Sequence, residues 1–461
     1  MLTRRTVLKW TVGMSAALFA SPQSITRGSL LEMGSAEEPC PAVPNPVMER
    51  DSSMKPKNIV ICSDGTGNWG GDSHPSNVYQ LCDLLDLSDT CVQIAAYDSG
   101  VGTRVNETAI QRLNKAQPNL TIFPDVHRWI PFQDTLGLAA GFGLKENLKQ
   151  LYGYLVDNYV EGDNLYLFGF SRGAFTVRAL AGMLRRCGVL QDMERFSEVY
   201  DRSKVHYENI EDTTERNAIE AEHEDFKRRH GRDCRVKFLG IWDTVKSYGY
   251  LFPQSLAHTR HNEIVLTVRH ALAIDEHRKF FEQTNWGGLD PDPEDPEHEC
   301  KCPIRRQNVM EVWFAGDHSD VGGGHEDSHN GLAQLSLQWM LKESIHAASS
   351  HPHDTLSLLL RNEDLLSQKI TPNRSMVHFK RHNKLEEFSW KFVQDVIPRR
   401  EVKNCPSPHI EWSFPWTHKD GRETHKWKRN KHILLHSSVL ELYDDRERQE
   451  LLGNTAYKTV D

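Results

Sequence analysis

Residues Asn164 to Phe175 read NLYLFGFSRGAF, and this stretch constrains the fold more than any other. Asn164 to Phe168 is an apolar, aromatic run of the length of a buried strand, and Ala174 to Leu184 (AFTVRALAGML) has the small and apolar spacing of a closely packed helix. Between them lies Gly-x-Ser-x-Gly. A serine on a sharp strand-to-helix turn needs glycines two residues to either side, so that strand and helix can approach. Such a turn raises Ser171 Oγ above the end of a sheet and aims the Arg172 N–H, at the helix start, toward a developing oxyanion. The pentapeptide alone arises by chance in roughly one chain of this size in ten. Its flanks carry the argument, and the reading then requires a base and an acid.

Strand and glycine loop recur along the chain. Lys57 to Cys62 (KNIVIC) reads as the first core strand and ends in Ser63-Asp64-Gly65-Thr66-Gly67-Asn68. A helix with Val78, Leu81, Leu84 and Leu85 on one face follows. Val92 to Tyr97 is a second strand, ending in Asp98-Ser99-Gly100-Val101-Gly102-Thr103. An amphipathic helix over Leu144 to Val160 leads into the serine strand. Further strands are expected at Arg235 to Trp242, ending in Asp243, and at Asn308 to Gly316, followed by Asp317, His318 and a helix from Leu332 to Leu341. This alternation predicts an α/β fold, hydrolase-like, with a mostly parallel sheet covered by helices on both faces. The glycine loops lack the spacings of phosphate-binding and dinucleotide-binding loops, so no nucleotide cofactor is expected.

The 461 residues are enough for one large α/β domain with insertions or for two domains. A catalytic domain is expected over 56–345. Within it, 192–232 is a strongly charged helical insertion, either a lid or a solvated excursion. Residues 346–461 form an extension that is either a separate domain or part of the same one. The net charge of −9 gives no electrostatic footprint for nucleic acid. Nine scattered cysteines do not make a disulfide scaffold.

Thr3-Arg4-Arg5-Thr6-Val7-Leu8-Lys9 precedes a run almost free of polar groups from Trp10 to Ala20. The run is too short to span a bilayer and reads as a signal peptide over 1–20, with paired arginines like those of the twin-arginine export route. Residues 21–55 read as a linker. The expected location is periplasmic or extracellular, in a bacterium.

Ser171, Asp243 and His318 follow the serine, acid, histidine order of α/β-hydrolases. Taken singly, an aspartate at a strand end is more often a cap, and any one of 23 histidines more often structural. His436 is the alternative base, and Asp320 the alternative acid. Taken together, KNIVICSDGTGN, YLFGFSRGAFTVRALAGML, FLGIWDTV and VWFAGDHSDVGGG resemble a hydrolase family of bacteria and fungi. That family is named after the catalytic domain of type VI secretion phospholipase effectors. The resemblance covers roughly Lys57 to Leu341 and implies an α/β-hydrolase fold and lipid ester cleavage. It makes Ser171 the nucleophile, Asp243 the acid and His318 the base. The oxyanion donors would be the N–H of Arg172 and that of Gly65 or Thr66.

The expected function is an exported serine hydrolase acting on carboxylic esters, lipid esters first, through an acyl-enzyme. An esterase for small or polymeric esters is the alternative. From another class, so is a catalytically silent envelope-binding protein with the same fold. No metal is expected. Asp290 to Cys302 (DPDPEDPEHECKC) lacks paired zinc spacing and reads as an acidic surface loop, while Asp64 and Asp98, at adjacent strand ends, either bind a cation or cap helices, with capping the expectation. Trp412, Trp416 and Trp427 interleave with Lys426, Lys428 and Arg429, a mixture suited to peripheral contact with an anionic membrane or to a solvated basic face.

Overall fold

The computed structural model describes residues 55–65, 75–100, 107–123, 140–205, 210, 212–245, 259, 262–276, 278, 284–286, 307–325, 331–347, 356–361, 381–382, 399–403, 409–413, 433–452 and 457–460. The signal assignment, the linker up to residue 54, Thr66, the acidic stretch Asp290 to Cys302, Trp416, Lys426, Trp427, Lys428 and Arg429 lie outside these residues. Trp412 falls within a strand whose side chains are not described.

A nine-stranded sheet runs in the order β13-β12-β9-β8-β7-β4-β1-β2-β3. Its strands are β1 (Asn58–Ser63), β2 (Gln93–Asp98), β3 (Leu120–Phe123), β4 (Asn164–Phe170), β7 (Val236–Trp242), β8 (Val265–Ala273), β9 (Asn308–Phe314), β12 (Ile433–His436) and β13 (Tyr457–Val460). Every pairing in it is parallel. Parallel strands need crossovers, and helices supply them: α1 (Asn77–Leu84), α2 (Glu107–Ala116), α3 (Ala140–Asn158), α4 (Arg172–Cys187), and later α7 (His318–Gly322) and α8 (Gly331–His346). The fold is α/β and hydrolase-like.

Both faces of the sheet are buried, which is why its central strands are continuously apolar in sequence. Alternate residues serve opposite cores, as the two-residue strand period dictates. Ile59, Ile61, Leu165, Leu167, Leu239 and Ile241 join α3 and α4 on one side. Val60, Cys62, Tyr166, Phe168, Phe170, Phe238 and Trp242 join α1 and α8 on the other. Gly240 sits where a Cβ would lie 2.6 Å from the Phe168 ring, so a side chain is excluded at that point in β7.

The chain builds outward from β1 to β2 and β3, then returns beside β1 with β4 and continues the other way. Strand order therefore reverses between β1 and β4. Open parallel sheets bind ligands beyond the carboxyl ends of strands at such a switch point. The register aligns those ends: Ser63 pairs with Gly169 and Asp98, Phe170 with Trp242, and Trp242 with Ala271.

Two parts of the chain depart from expectation. β8 was not anticipated, because Arg269 and His270 interrupt its apolar run. Both are buried and partnered, Arg269 Nε with Glu343 at 2.5 Å and His270 Nδ1 with Glu311 at 3.0 Å. The charged insertion forms α5 (Phe196–Arg202) and α6 (Thr213–His230), followed by β6 (Gly231–Arg232), which pairs with β5 (Val189–Leu190). It is anchored through Arg185 to Glu224, Arg186 Nη1 to the Arg202 carbonyl, and Val189 to Arg232. Those contacts gather at the C-terminal end of α4, about 20 Å along the helix from Ser171.

The extension contributes β12 and β13 to the main sheet, with β12 paired to β9. Ile433, Leu435, Val439, Tyr443 and Leu452 pack on Leu272, Trp313 and Ala315 as a third core cluster. A separate hairpin joins β10 (Arg399–Lys403) to β11 (His409–Ser413). Residues 41–461 group as one compact unit.

Candidate active site

Ser171 is the N-cap of α4, with φ 55° and ψ −119°. That is left-handed backbone on a non-glycine residue, which costs on the order of 1–3 kcal/mol and persists only where its surroundings enforce it. The enforcement comes from both sides. The Ser171 N–H donates to the Trp242 carbonyl at 3.1 Å, tying the turn to the end of β7. A Cβ on Gly169 would lie 2.6 Å from the Gly173 carbonyl oxygen, and one on Gly173 would lie 2.5 Å from the Asp64 carbonyl oxygen. The second glycine thus lets the start of α4 rest directly on the backbone where β1 ends. This closeness brings the Arg172 amide and the 63–65 loop to one place.

Asp243 is fully buried and also has positive φ, 39°. Its Oδ1 accepts the Ala273 N–H at 3.0 Å, and its Oδ2 lies 2.6 Å from His318 Nδ1. Behind it, His270 Nε2 accepts the Thr244 N–H at 3.2 Å while Nδ1 faces Glu311. Burial pushes the His270 pKa down, outweighing the raising effect of Glu311, and a neutral ring is the form that can accept from Thr244. Sequence reasoning missed this support, which rests on a strand it did not anticipate.

His318 opens α7. Asp317 caps the helix by accepting the Ser319 and Asp320 N–H groups, and Asp320 answers by accepting the Asp317 N–H, a capping box. The His318 N–H points to Glu276 Oε2 at 3.4 Å, and Arg278 doubly pairs with Glu276. The imidazole lies over the Phe170 ring, centroids 4.6 Å apart, beside Ser171 in sequence. Gly322 has no room for a Cβ because the same Phe170 ring occupies the space. The ring is thus directed to Asp243 through Nδ1.

The two alternatives are engaged elsewhere. His436 caps α9 (Ser437–Leu442), with Nδ1 2.9 Å from Ser438 Oγ, and stacks on Phe314 at 4.5 Å. Asp320 Oδ1 lies 2.7 Å from His382 Nδ1 and 3.6 Å from His325 Nε2.

The loop after β1 corrects the expectation that Asp64 and Asp98 cap helices. Ser76 caps α1, by accepting the Tyr79 N–H. Asp64, fully buried, instead accepts from Ser76 Oγ at 2.5 Å, Tyr97 OH at 2.8 Å and the Gly65 N–H at 2.7 Å. Burial pushes its carboxyl up to about 7; those three hydrogen bonds oppose the rise, and the Asp98 charge adds to it. Asp98 Oδ2 accepts from Ser63 Oγ at 2.7 Å, and both carboxylate oxygens accept from Asn147 Nδ2, at 3.0 and 2.9 Å. The Gly65 N–H, one of the two oxyanion candidates in this loop, is therefore directed to Asp64 here.

A family model described as the T6SS phospholipase effector Tle1-like catalytic domain matches residues 57–343. The uncharacterized protein YEL023C of Saccharomyces cerevisiae is 34% identical over 236 residues, 50% of this chain and 33% of that protein. The chain thus spans about a third of that relative's length. Among solved structures, an uncharacterized protein from Pseudomonas aeruginosa overlays with TM-score 0.36 at 19% identity, covering 72% of this chain and 50% of that one. The Tle1 effector bound to the VgrG spike overlays with TM-score 0.28 at 17% identity, covering 60% and 52%.

Proposed function

From the premise that the chain belongs to the Tle1-like catalytic-domain family of phospholipase effectors, we propose that it is an exported serine hydrolase cleaving carboxylic esters of lipids. Ser171 is the nucleophile, His318 the base and Asp243 the acid. The observation that carries the reading is the 2.6 Å contact between His318 Nδ1 and Asp243 Oδ2. It supports the tautomer in which Nε2 accepts a proton, and Ser171, on strained left-handed backbone, directly follows the Phe170 whose ring the imidazole overlies.

In this reading Ser171 Oγ attacks the acyl carbonyl carbon as its proton passes to His318 Nε2. The tetrahedral oxyanion collapses, the alcohol leaves with that proton, and an acyl-serine remains. Water, deprotonated by His318, then releases the fatty acid. Asp243 stays ionised and stabilises the imidazolium. The Arg172 N–H and one donor of the Gly65-Thr66 loop, Thr66 or a Gly65 N–H turned away from Asp64, hold the oxyanion, each worth about 10²- to 10³-fold in kcat.

A fluorophosphonate probe on the purified protein, mapped by peptide mass spectrometry, tests the assignment. Labelling at Ser171 that disappears in Ser171→Ala, with release of fatty acid from phospholipid vesicles, supports it. A folded protein that neither labels nor hydrolyses, with vesicles present, returns it to the binding-protein class.

Export rests on the paired Arg4 and Arg5 and the apolar run to Ala20. Residues 1–20 fused to a reporter that works only when exported folded should place it outside the cytoplasm, and Arg4→Lys with Arg5→Lys should retain it inside. Membrane contact through Trp412, Trp416, Trp427, Lys426, Lys428 and Arg429 rests on composition. Anionic vesicle binding unchanged by charge reversal of Lys426, Lys428 and Arg429 removes that part.

A further inference from the structure

The loop that carries His318 also carries a second cluster that the ester chemistry does not use. Asp317 and Asp320 stand on either side of His318 at the start of α7, and His325 follows three residues after the helix ends. His382 arrives from the extension. His325 Nε2 lies 3.1 Å from Asp317 Oδ1 and 3.6 Å from Asp320 Oδ1, and His382 Nδ1 lies 2.7 Å from the same Asp320 oxygen. The two imidazoles stack with centroids 3.9 Å apart. One ligand atom from each of Asp320, His325 and His382 falls within 4.8 Å of the others.

We propose that Asp320, His325 and His382, with Asp317 as the fourth ligand, form a binding site for a divalent transition-metal ion of the Zn²⁺ class. A tetrahedral zinc site with ligands at about 2.0–2.1 Å has ligand atoms about 3.3 Å apart. The measured separations lie close enough for small side-chain rotations to reach that arrangement. The donor set, two imidazoles and two carboxylates, suits zinc and related ions rather than calcium or magnesium.

A second, independent observation points to a missing ligand. Asp317 is 1% exposed, and among the described residues its Oδ2 has no hydrogen-bond partner. A carboxylate oxygen buried without a partner is costly, and a cation coordinated through Asp317 would satisfy it. The outer support that metal-binding carboxylates require is also in place. Asp320 Oδ2 accepts the backbone N–H groups of Asp317 at 3.0 Å and His382 at 2.9 Å, leaving Oδ1 toward the histidines. On binding, the ion replaces the proton at His325 Nε2 and at His382 Nδ1, and each neutral ring keeps its proton on the other nitrogen.

The ion has a positioning role. It ties residue 382 to the helix that begins with His318, without touching the reacting atoms. The proposal stands independently of the ester reading, since metal content can be measured whether or not the protein hydrolyses anything.

The experiment uses the full chain without a polyhistidine tag, stripped with a chelator, incubated with Zn²⁺ alone and desalted. Elemental analysis should return about one equivalent per chain, with a melting temperature raised by about 3 °C or more over the stripped protein. His325→Ala and His382→Ala should each abolish both effects, while His346→Ala, an exposed histidine outside the cluster, should keep them. Substoichiometric zinc in the wild-type protein, or equal loading of wild type and His382→Ala, overturns the proposal and leaves a buried hydrogen-bonded network. If the ligand variants do not fold, X-ray absorption at the zinc edge of the loaded wild type decides. Imidazole and carboxylate scatterers at about 2.0–2.1 Å support the site, and a thiolate or all-water shell sinks it.

Discussion

His318 Nδ1 lies 2.6 Å from Asp243 Oδ2, and the other oxygen of that carboxylate is held by the Ala273 N–H at 3.0 Å. Asp243 is therefore clamped by β8 through one oxygen and faces His318 with the other; in the proposed mechanism that second contact orients the base. Asp243→Asn keeps the shape but offers an N–H where the imidazole needs an acceptor, which favours the wrong tautomer. Ester hydrolysis should fall about 10³- to 10⁴-fold in kcat with an unchanged far-UV spectrum. A drop of less than about tenfold would show that Asp243 is structural.

Gly173 carries the packing of the elbow helix against β1. A methyl group there would lie 2.5 Å from the Asp64 carbonyl oxygen, so α4 must back away from the sheet. Gly173→Ala should destabilise the protein by about 1–3 kcal/mol or more in urea unfolding, the range of overpacked cores. Activity should be lost with it, because the Arg172 amide moves together with the helix. Wild-type stability and activity in this variant would contradict the close approach.

Asp64 makes a prediction with a definite sign. Its folded pKa of about 7 lies above the ordinary 3.8, with burial the dominant cause. The folded state therefore holds this proton more tightly than the unfolded chain does. Its contribution to stability is complete below about pH 4 and is lost as pH rises through 7. Compared with Asp64→Asn in parallel unfolding titrations, the wild type should lose on the order of a few kcal/mol between pH 4 and 8. A pH-independent difference between the two proteins would mean that Asp64 is ionised throughout.

Cys62, Cys82, Cys187 and Cys234 are free and buried. Burial pushes the thiols of Cys187 and Cys234 up to about 12, and only a thiolate reacts quickly. Iodoacetamide at pH 8 should leave all four unmodified in the native protein and alkylate them in urea, as mapped by mass spectrometry. Rapid native labelling of any one would place it at an exposed, activated site instead.

Much of the fold was readable because its signals are local. The elbow is specified within twelve residues, and the helix expected at Val78 to Leu85 forms as Asn77–Leu84 with Leu85 as its cap. Chain order together with the four-motif resemblance nominated Ser171, Asp243 and His318, while His436 fitted the order as well. What resisted reading depends on distant partners. Asp64 looks like a cap until Ser76 and Tyr97 are folded onto it, and β8 hides behind a buried arginine and histidine whose ion-pair partners are 74 and 41 residues away. β12 and β13, of four residues each, are too short for alternation to register. Asp317, Asp320 and His325 fall within nine residues of sequence, so their proximity was visible. His382 carries no signal that links it to them.

The matched family segment stops at residue 343, yet the sheet does not. β12 pairs with β9 and in turn carries β13, while Tyr443 OH reaches back to Asp275, whose Oδ2 also takes the Gly316 N–H at 2.8 Å. A protein ended at 343 would present β9 as a bare strand edge, with Trp313 and Leu272 uncovered beside it, the combination that invites edge-to-edge aggregation. The boundary that sequence similarity draws is thus narrower than the unit that must fold and be inherited together. Gene fusions or truncations that respect the first boundary but not the second should yield insoluble protein.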